Sequence, residues 1–130
     1  MITLPYADMR PYLPGVGEVY RVDPGIVGPA RRGPGRPVSV LVVQVPATVN
    51  GRITVVTRTA SREGAPGVAS PRDPGLGFDR PGVWASLRSA EAHLWTPSMV
   101  RYRGTVELAE LTAVREAFGL LGAATRIGDR

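Results

Sequence analysis

A mainly β chain closed by one C-terminal helix, α+β in the broad sense, is the fold class this sequence predicts. Three observations carry the prediction. Short runs rich in β-branched residues alternate or persist between Gly17 and Arg88. Asn50 and Gly51 stand between two of those runs, and that dipeptide favours tight hairpin turns. Only the segment from Glu107 to about Leu121 repeats its apolar residues at three- and four-residue spacing.

The elements follow in chain order. From Gly17 to Asp23 the chain alternates, with Val19 on one parity and Tyr20 and Val22 on the other, as a strand does. From Pro37 to Val45 it is almost continuously apolar and β-branched, the pattern of a strand buried on both faces. Arg52 to Thr59 reads as the antiparallel return strand, reached through Pro46 to Gly51 with a type I′ turn expected at Asn50 and Gly51. Ser61 to Pro81 is punctuated by Gly and Pro and reads as a long mobile loop. Gly82 to Arg88 alternates again, which puts Val83, Ala85 and Leu87 on one face and Trp84, Ser86 and Arg88 on the other. Met99 to Arg103 is a candidate last strand. In the helix, Leu108, Leu111, Val114, Phe118 and Leu121 form one stripe, Glu107 and Glu110 complement the dipole at its start, and Gly122 is the expected stop. Four or five strands curling into a small SH3-like barrel, with the helix as cover, fit this order.

Length and composition bound the function. At 130 residues the chain is one domain, with a core from about residue 12 to 121 and a frayed tail from 122 to 130. It has 16 basic residues, all arginine, against 11 acids, for a net charge of +5 and a pI near 10.7. With no cysteine, it has no thiol nucleophile, disulfide framework or Cys-ligated metal. One histidine excludes a His-rich metal centre, so no metal and no cofactor are expected. The longest uncharged stretch, Pro37 to Gly51, is interrupted by Gln44, Pro46 and Asn50 and is shorter than the ~20 residues a membrane helix needs. Met1 to Arg10 has no apolar segment of the signal-peptide kind, and a cytoplasmic protein with no membrane partner is expected.

Chemistry concentrates in the stretch from Gly28 to Val43. Arg31, Arg32 and Arg36 stand in a Gly/Pro-rich loop that runs into the buried strand, and Pro37 fixes the frame of Arg36. Guanidiniums at a loop–strand junction suit phosphate, because a guanidinium can grip two of its oxygens at once; a solvated loop is the plain alternative. Thr57 and Thr59 share a face at the end of the third strand and could donate to a phosphate oxygen, although threonine is also simply a good strand former. Trp84, with Ser86 and Arg88, fits three roles: base stacking in an RNA groove beside a phosphate-holding arginine, an interface anchor, or a second core face. Glu18 and His93 are the remaining titratable candidates, each equally readable as a surface group. Trp95 and Tyr102 read as packing residues.

In order and spacing the chain resembles the MazF/PemK family of toxin ribonucleases. The resemblance runs from about Tyr12 to Leu121. It rests on Gly17 to Pro24, a Gly-rich loop, Gly35 to Val38 leading into Val40 to Val43, Ile53 to Val56 followed by Thr59, Gly77 to Arg80 before Val83, Leu87 to Ser89, and Gly104 to Val106 before the helix. It implies an SH3-like barrel of the plasmid-maintenance toxin type that forms a homodimer, pairs with an antitoxin protein and cuts single-stranded RNA without a metal. In that scheme Arg36 stabilises charge on the scissile phosphate, Thr59 hydrogen-bonds the same phosphate, and the RNA 2′-hydroxyl is the nucleophile. Arg31, Arg32, Thr57, Trp84, Ser86 and Arg88 are the candidate RNA contacts. The sequence departs from the family in three places. No acid stands between Ala30 and Gly35, Val83 to Ser86 lacks the Arg and Asp that some members use as acid and base, and the family's usual Gln is missing. The anion-binding half of the site is therefore present and the proton-transfer half is not evident. Two alternatives follow: an inactive nucleic-acid- or protein-binding module on the same scaffold, or a gyrase-type inhibitor, a class that acts through terminal residues which Thr125 to Arg130 do not suggest.

Overall fold

The β-branched runs pair into one antiparallel sheet. The computed structural model describes residues 10–27, 36–60 and 67–120. They form β1 (Glu18–Val22), β2 (Val38–Gln44), β3 (Arg52–Ala60), β4 (Val68–Ser70), β5 (Gly82–Glu91), β6 (Val100–Thr105) and α1 (Leu108–Ala117), with short 3-10 turns at Pro24–Val27, Pro74–Leu76 and Ala92–Leu94. The spatial order is β4-β5-β3-β2-β1-β6, and the sheet curls into a half-barrel. The described residues thus hold six strands where four or five were expected. The extra one, β4, lies in the expected loop: Val68 pairs with Trp84 and Ser70 with Gly82.

β2 is buried on both faces, as its composition requires. Val40 and Val42 join a first core with Tyr20, Val22, Ile53, Val55 and Trp95. Leu41 and Val43 join a second with Val19, Val56, Phe78, Trp84 and Val114. The first is closed by the turn carrying Ile26 and Val27 and by an aromatic cluster in which Tyr20 meets Trp95 edge-on at 5.0 Å. The second is closed by α1 and by the turn carrying Leu76 and Phe78. Trp84 and Trp95 are both fully buried. Each ring removes ~200 Å² from water, worth roughly 5 kcal/mol gross. Their indole N–H groups fare differently. That of Trp84 donates to Glu110 Oε2 at 2.7 Å, whereas that of Trp95 has no acceptor among the described residues.

Several local expectations change. The β2–β3 connection is not a type I′ turn, because neither Asn50 nor Gly51 has the positive φ that turn needs. Val43 is an extra residue between the Val42–Val55 and Gln44–Thr54 pairs, a bulge just before the connection. The connection closes with Gly51 N–H donating to the Thr48 carbonyl at 3.1 Å and Asn50 N–H to Thr48 Oγ1 at 3.2 Å. The helix stops at Ala117, and Gly119 takes the left-handed conformation (φ 77°) that ends it before the expected Gly122. Leu108, expected in the buried stripe, is 76% exposed, and the buried face is Leu111, Val114 and Phe118. Glu110 stands in the first turn as expected, but its carboxylate is turned onto Trp84.

A second bulge matters for the site. Thr57 pairs with Ser86 but Arg58 with Trp84, so Ala85 is an extra residue in β5. Trp84 is thereby moved to the face of Leu87, while Ser86 and Arg88 stay together on the opposite one. The alternation expected for β5 is reversed before Ala85, so Val83 shares the face of Ser86 and Arg88 and not that of Leu87.

Two truncations in α1 separate its buried and exposed faces. Val114→Ala should cost about 2 kcal/mol in urea unfolding through the cavity it leaves, and Leu108→Ala less than about 0.5 kcal/mol.

Candidate anion-binding site

The antiparallel pairing of β2 with β3, anchored by Val40 opposite Thr57, brings the start of β2 and the end of β3 to one end of the sheet. Arg36, two residues before β2, and Thr59, one residue from the end of β3, therefore share that end, and both are exposed. The register puts Thr57, Thr59 and Ser86 on one face, with Val40 and Val83 opposite Thr57 and Thr59 respectively. Arg88, opposite Val55, lies on the same face and is exposed. Thr57 Oγ1 is 3.5 Å from the Ser86 carbonyl, a bond at the long limit that leaves the hydroxyl weakly engaged. Four of the eight site residues expected from sequence thus gather at one sheet end, Arg36, Thr57, Thr59 and Ser86, while Arg88 lies farther along the same face, in the middle of the sheet. Arg31 and Arg32 lie outside the described residues.

Trp84 does not belong to this set. Its ring is fully buried, meets Phe78 edge-on at 5.8 Å and is tied to Glu110, so it offers no face to a base. Of the three readings open from sequence, the core face is the one the structure adopts. Tyr102, expected in packing, is half-exposed at 56% while its ring lies 5.5 Å from that of Tyr20.

Arg58, between the two threonines, points to the other face, as alternation requires. Its guanidinium carbon lies 3.8 Å from the Phe78 ring centroid. Nε donates to Ser70 Oγ at 2.6 Å, and Nη2 donates to the Ser70 carbonyl at 2.9 Å and the Arg80 carbonyl at 2.7 Å. Burial lowers its pKa, and the nearby Glu110 charge opposes that shift. This arginine ties β4 and the 70–80 segment to β3 and has little left for a ligand.

The two candidates for proton transfer are not placed for it. Glu18 Oε1 accepts from Gly15 N–H at 2.7 Å and from the Tyr20 hydroxyl at 2.8 Å, so it holds the entry to β1. Burial, then the hydrogen bond to Glu18, raises the Tyr20 phenol far above its ordinary value, and burial raises that of Tyr12 as well. His93 is exposed after β5, at the opposite end of the sheet from Thr59, with Nδ1 3.4 Å from Glu91 Oε1. No group of three or more metal-ligating side chains occurs among the described residues, and no described helix is long and apolar enough to cross a membrane.

Residues that sequence reading passed over lie at the same sheet end. A cavity of about 350 Å³ opens there between the end of β1, the start of β6, Pro37 and the 97–99 turn. Arg21 of β1 and Arg101 of β6 both line it and are directly paired across the strands. Each sits at an ordinary exposed strand position, and only the pairing of two strands far apart in sequence brings them together. No protein-family model matches this chain, and no curated protein is significantly similar to it.

The tyrosines make stability depend on alkaline pH. A free tyrosine ionises near pH ~10, and the folded state raises that value, so the native state holds its protons longer than the unfolded one. Stability should be complete below pH ~10 and fall as pH rises above it. Tyr20→Phe should flatten that fall in urea titrations across about pH 8–11, with the remaining slope due to Tyr12.

Proposed function

We propose that this chain is a metal-independent endoribonuclease acting on single-stranded RNA. It would be an SH3-like barrel of the plasmid-maintenance toxin type, working in the cytoplasm as a homodimer restrained by a cognate antitoxin. The observation that carries the reading is the β2–β3 register, which delivers Arg36 and Thr59 to one exposed sheet end beside Thr57 and Ser86. The curled antiparallel sheet and its terminal helix agree with that scaffold. A net charge of +5 favours a polyanionic partner.

In the reaction, the 2′-hydroxyl oxygen bonds to the adjacent phosphorus and the bond from phosphorus to the 5′-oxygen breaks. A cyclic phosphate and a 5′-hydroxyl result. Charge builds on the non-bridging oxygens as the phosphorus becomes five-coordinate, and a guanidinium already in place stabilises it without reorganising. Arg36 takes that role, and Thr59 donates to the same phosphate. Glu18 is engaged elsewhere and His93 is remote, so solvent accepts the 2′ proton and supplies the 5′ one. Positioned acid–base groups contribute typically 10²–10⁴-fold, so turnover is expected to be slow.

The engagement of Glu18 and the distance of His93 also favour a second reading, in which the same surface holds RNA without cutting it.

A long single-stranded RNA incubated with the protein in EDTA should show discrete new 5′ ends, and folded Arg36→Ala should produce none. Cuts by folded Arg36→Ala would refute the assignment of the site, and no cuts by the parent protein would leave the binding reading. RNA affinity should fall with salt by a log–log slope of roughly −0.7 per phosphate contacted.

A further inference from the structure

We propose that the cavity between β1, β6 and the 97–99 turn is a binding site for a phosphate ester of ribonucleotide size. The proposal does not depend on RNA cleavage. Arg21 and Arg101 are directly opposite each other on paired strands, and both are exposed at the cavity. Like charges in that arrangement repel and destabilise a sheet. Asp23 also borders the cavity, but neither arginine forms an ion pair with it: both acid-containing ion pairs among the described residues use Glu91, at the other end of the sheet. An anion between the two guanidiniums would relieve the repulsion, and phosphate fits because each guanidinium can grip two of its oxygens.

The rest of the lining narrows the ligand further. Pro37, Pro97 and Met99 supply an apolar wall. Such a wall suits a flat ring or a sugar edge rather than a second charge. Asp23 also lines the cavity, and its Oδ1 already accepts from Gly25 N–H at 2.8 Å. A carboxylate beside two guanidiniums is an acceptor for a sugar hydroxyl, which a ribonucleotide carries and inorganic phosphate does not. The volume, about 350 Å³, lies in the range of small-molecule sites. The phosphate could come from a free mononucleotide or from the strand that passes Arg36, since Pro37 borders the cavity.

The test uses the full chain with two probes, uridine 5′-monophosphate and an oligouridylate, with uridine as the phosphate-free control. Amide shifts in an NMR titration should cluster at residues 21–23 and 98–101 with uridine 5′-monophosphate and be weak with uridine. Arg21→Gln and Arg101→Gln, at exposed positions, should each weaken binding about tenfold, the effect of one charge-assisted hydrogen bond. Arg52→Gln, which removes the same charge at the far end of the sheet, should not. Equal weakening by all three variants, or shifts outside the cavity, would overturn the proposal. If the two cavity variants also weaken the oligouridylate, the strand supplies the phosphate; if only the monophosphate is affected, the ligand is a free nucleotide. Loss of cutting in Arg36→Ala bears on the ribonuclease reading alone, so the two can fail separately.

Discussion

Burial of β2 on both faces is the constraint on which the rest of the structure depends. A strand with Val40 and Val42 on one side and Leu41 and Val43 on the other needs cover on both. One sheet face is closed by aromatics and a 3-10 turn, the other by α1 and the Phe78 turn. The helix is short, and Leu111, Val114 and Phe118 are its inward contacts. Its seating is therefore reinforced by a directed contact, the indole N–H of Trp84 on the Glu110 carboxylate. A hydrogen bond to a charged acceptor at a buried edge gives α1 an orientation that apolar contacts alone leave loose.

The bulge in β5 sets which of its side chains meet the helix and which meet Thr57. The extra Ala85 in β5 lets Trp84 enter the helix-side core while Ser86 and Arg88 remain beside Thr57. Without it, strict alternation would put the largest ring of the segment among the polar groups. Arg58 lies on the helix side. It is spent on Phe78, Ser70 and the Arg80 carbonyl, while its neighbours Thr57 and Thr59 lie on the other face of β3. Neighbouring residues on one strand thus meet different surroundings, because a strand alternates its faces.

Charge is arranged with the same economy. Arg36, Arg21 and Arg101 converge where β1 ends and β2 and β6 begin, whereas the ion-paired groups Arg52, Glu91 and His93 lie at the other end. A polyanion would therefore approach one end of the sheet, and mobile salt would weaken that approach.

Much of this was determined by the sequence alone. The run from Val38 to Gln44 could only be a central strand, because no other placement buries so many β-branched residues. The return strand, the shared face of Thr57 and Thr59, and the inward contacts Leu111, Val114 and Phe118 follow from periodicity, which is a local property. The tertiary structure decided what depends on register and on partners distant in the chain. The Ala85 bulge reversed Trp84, since one inserted residue flips every side chain beyond it. The β4 strand formed in a stretch rich in Gly and Pro because β5 offered it an edge. Leu108 turned outward because seating Trp84 on Glu110 fixed the rotation of the helix. Arg21 and Arg101 became neighbours only through the β1–β6 pairing, which brings together segments about eighty residues apart and which no local pattern encodes.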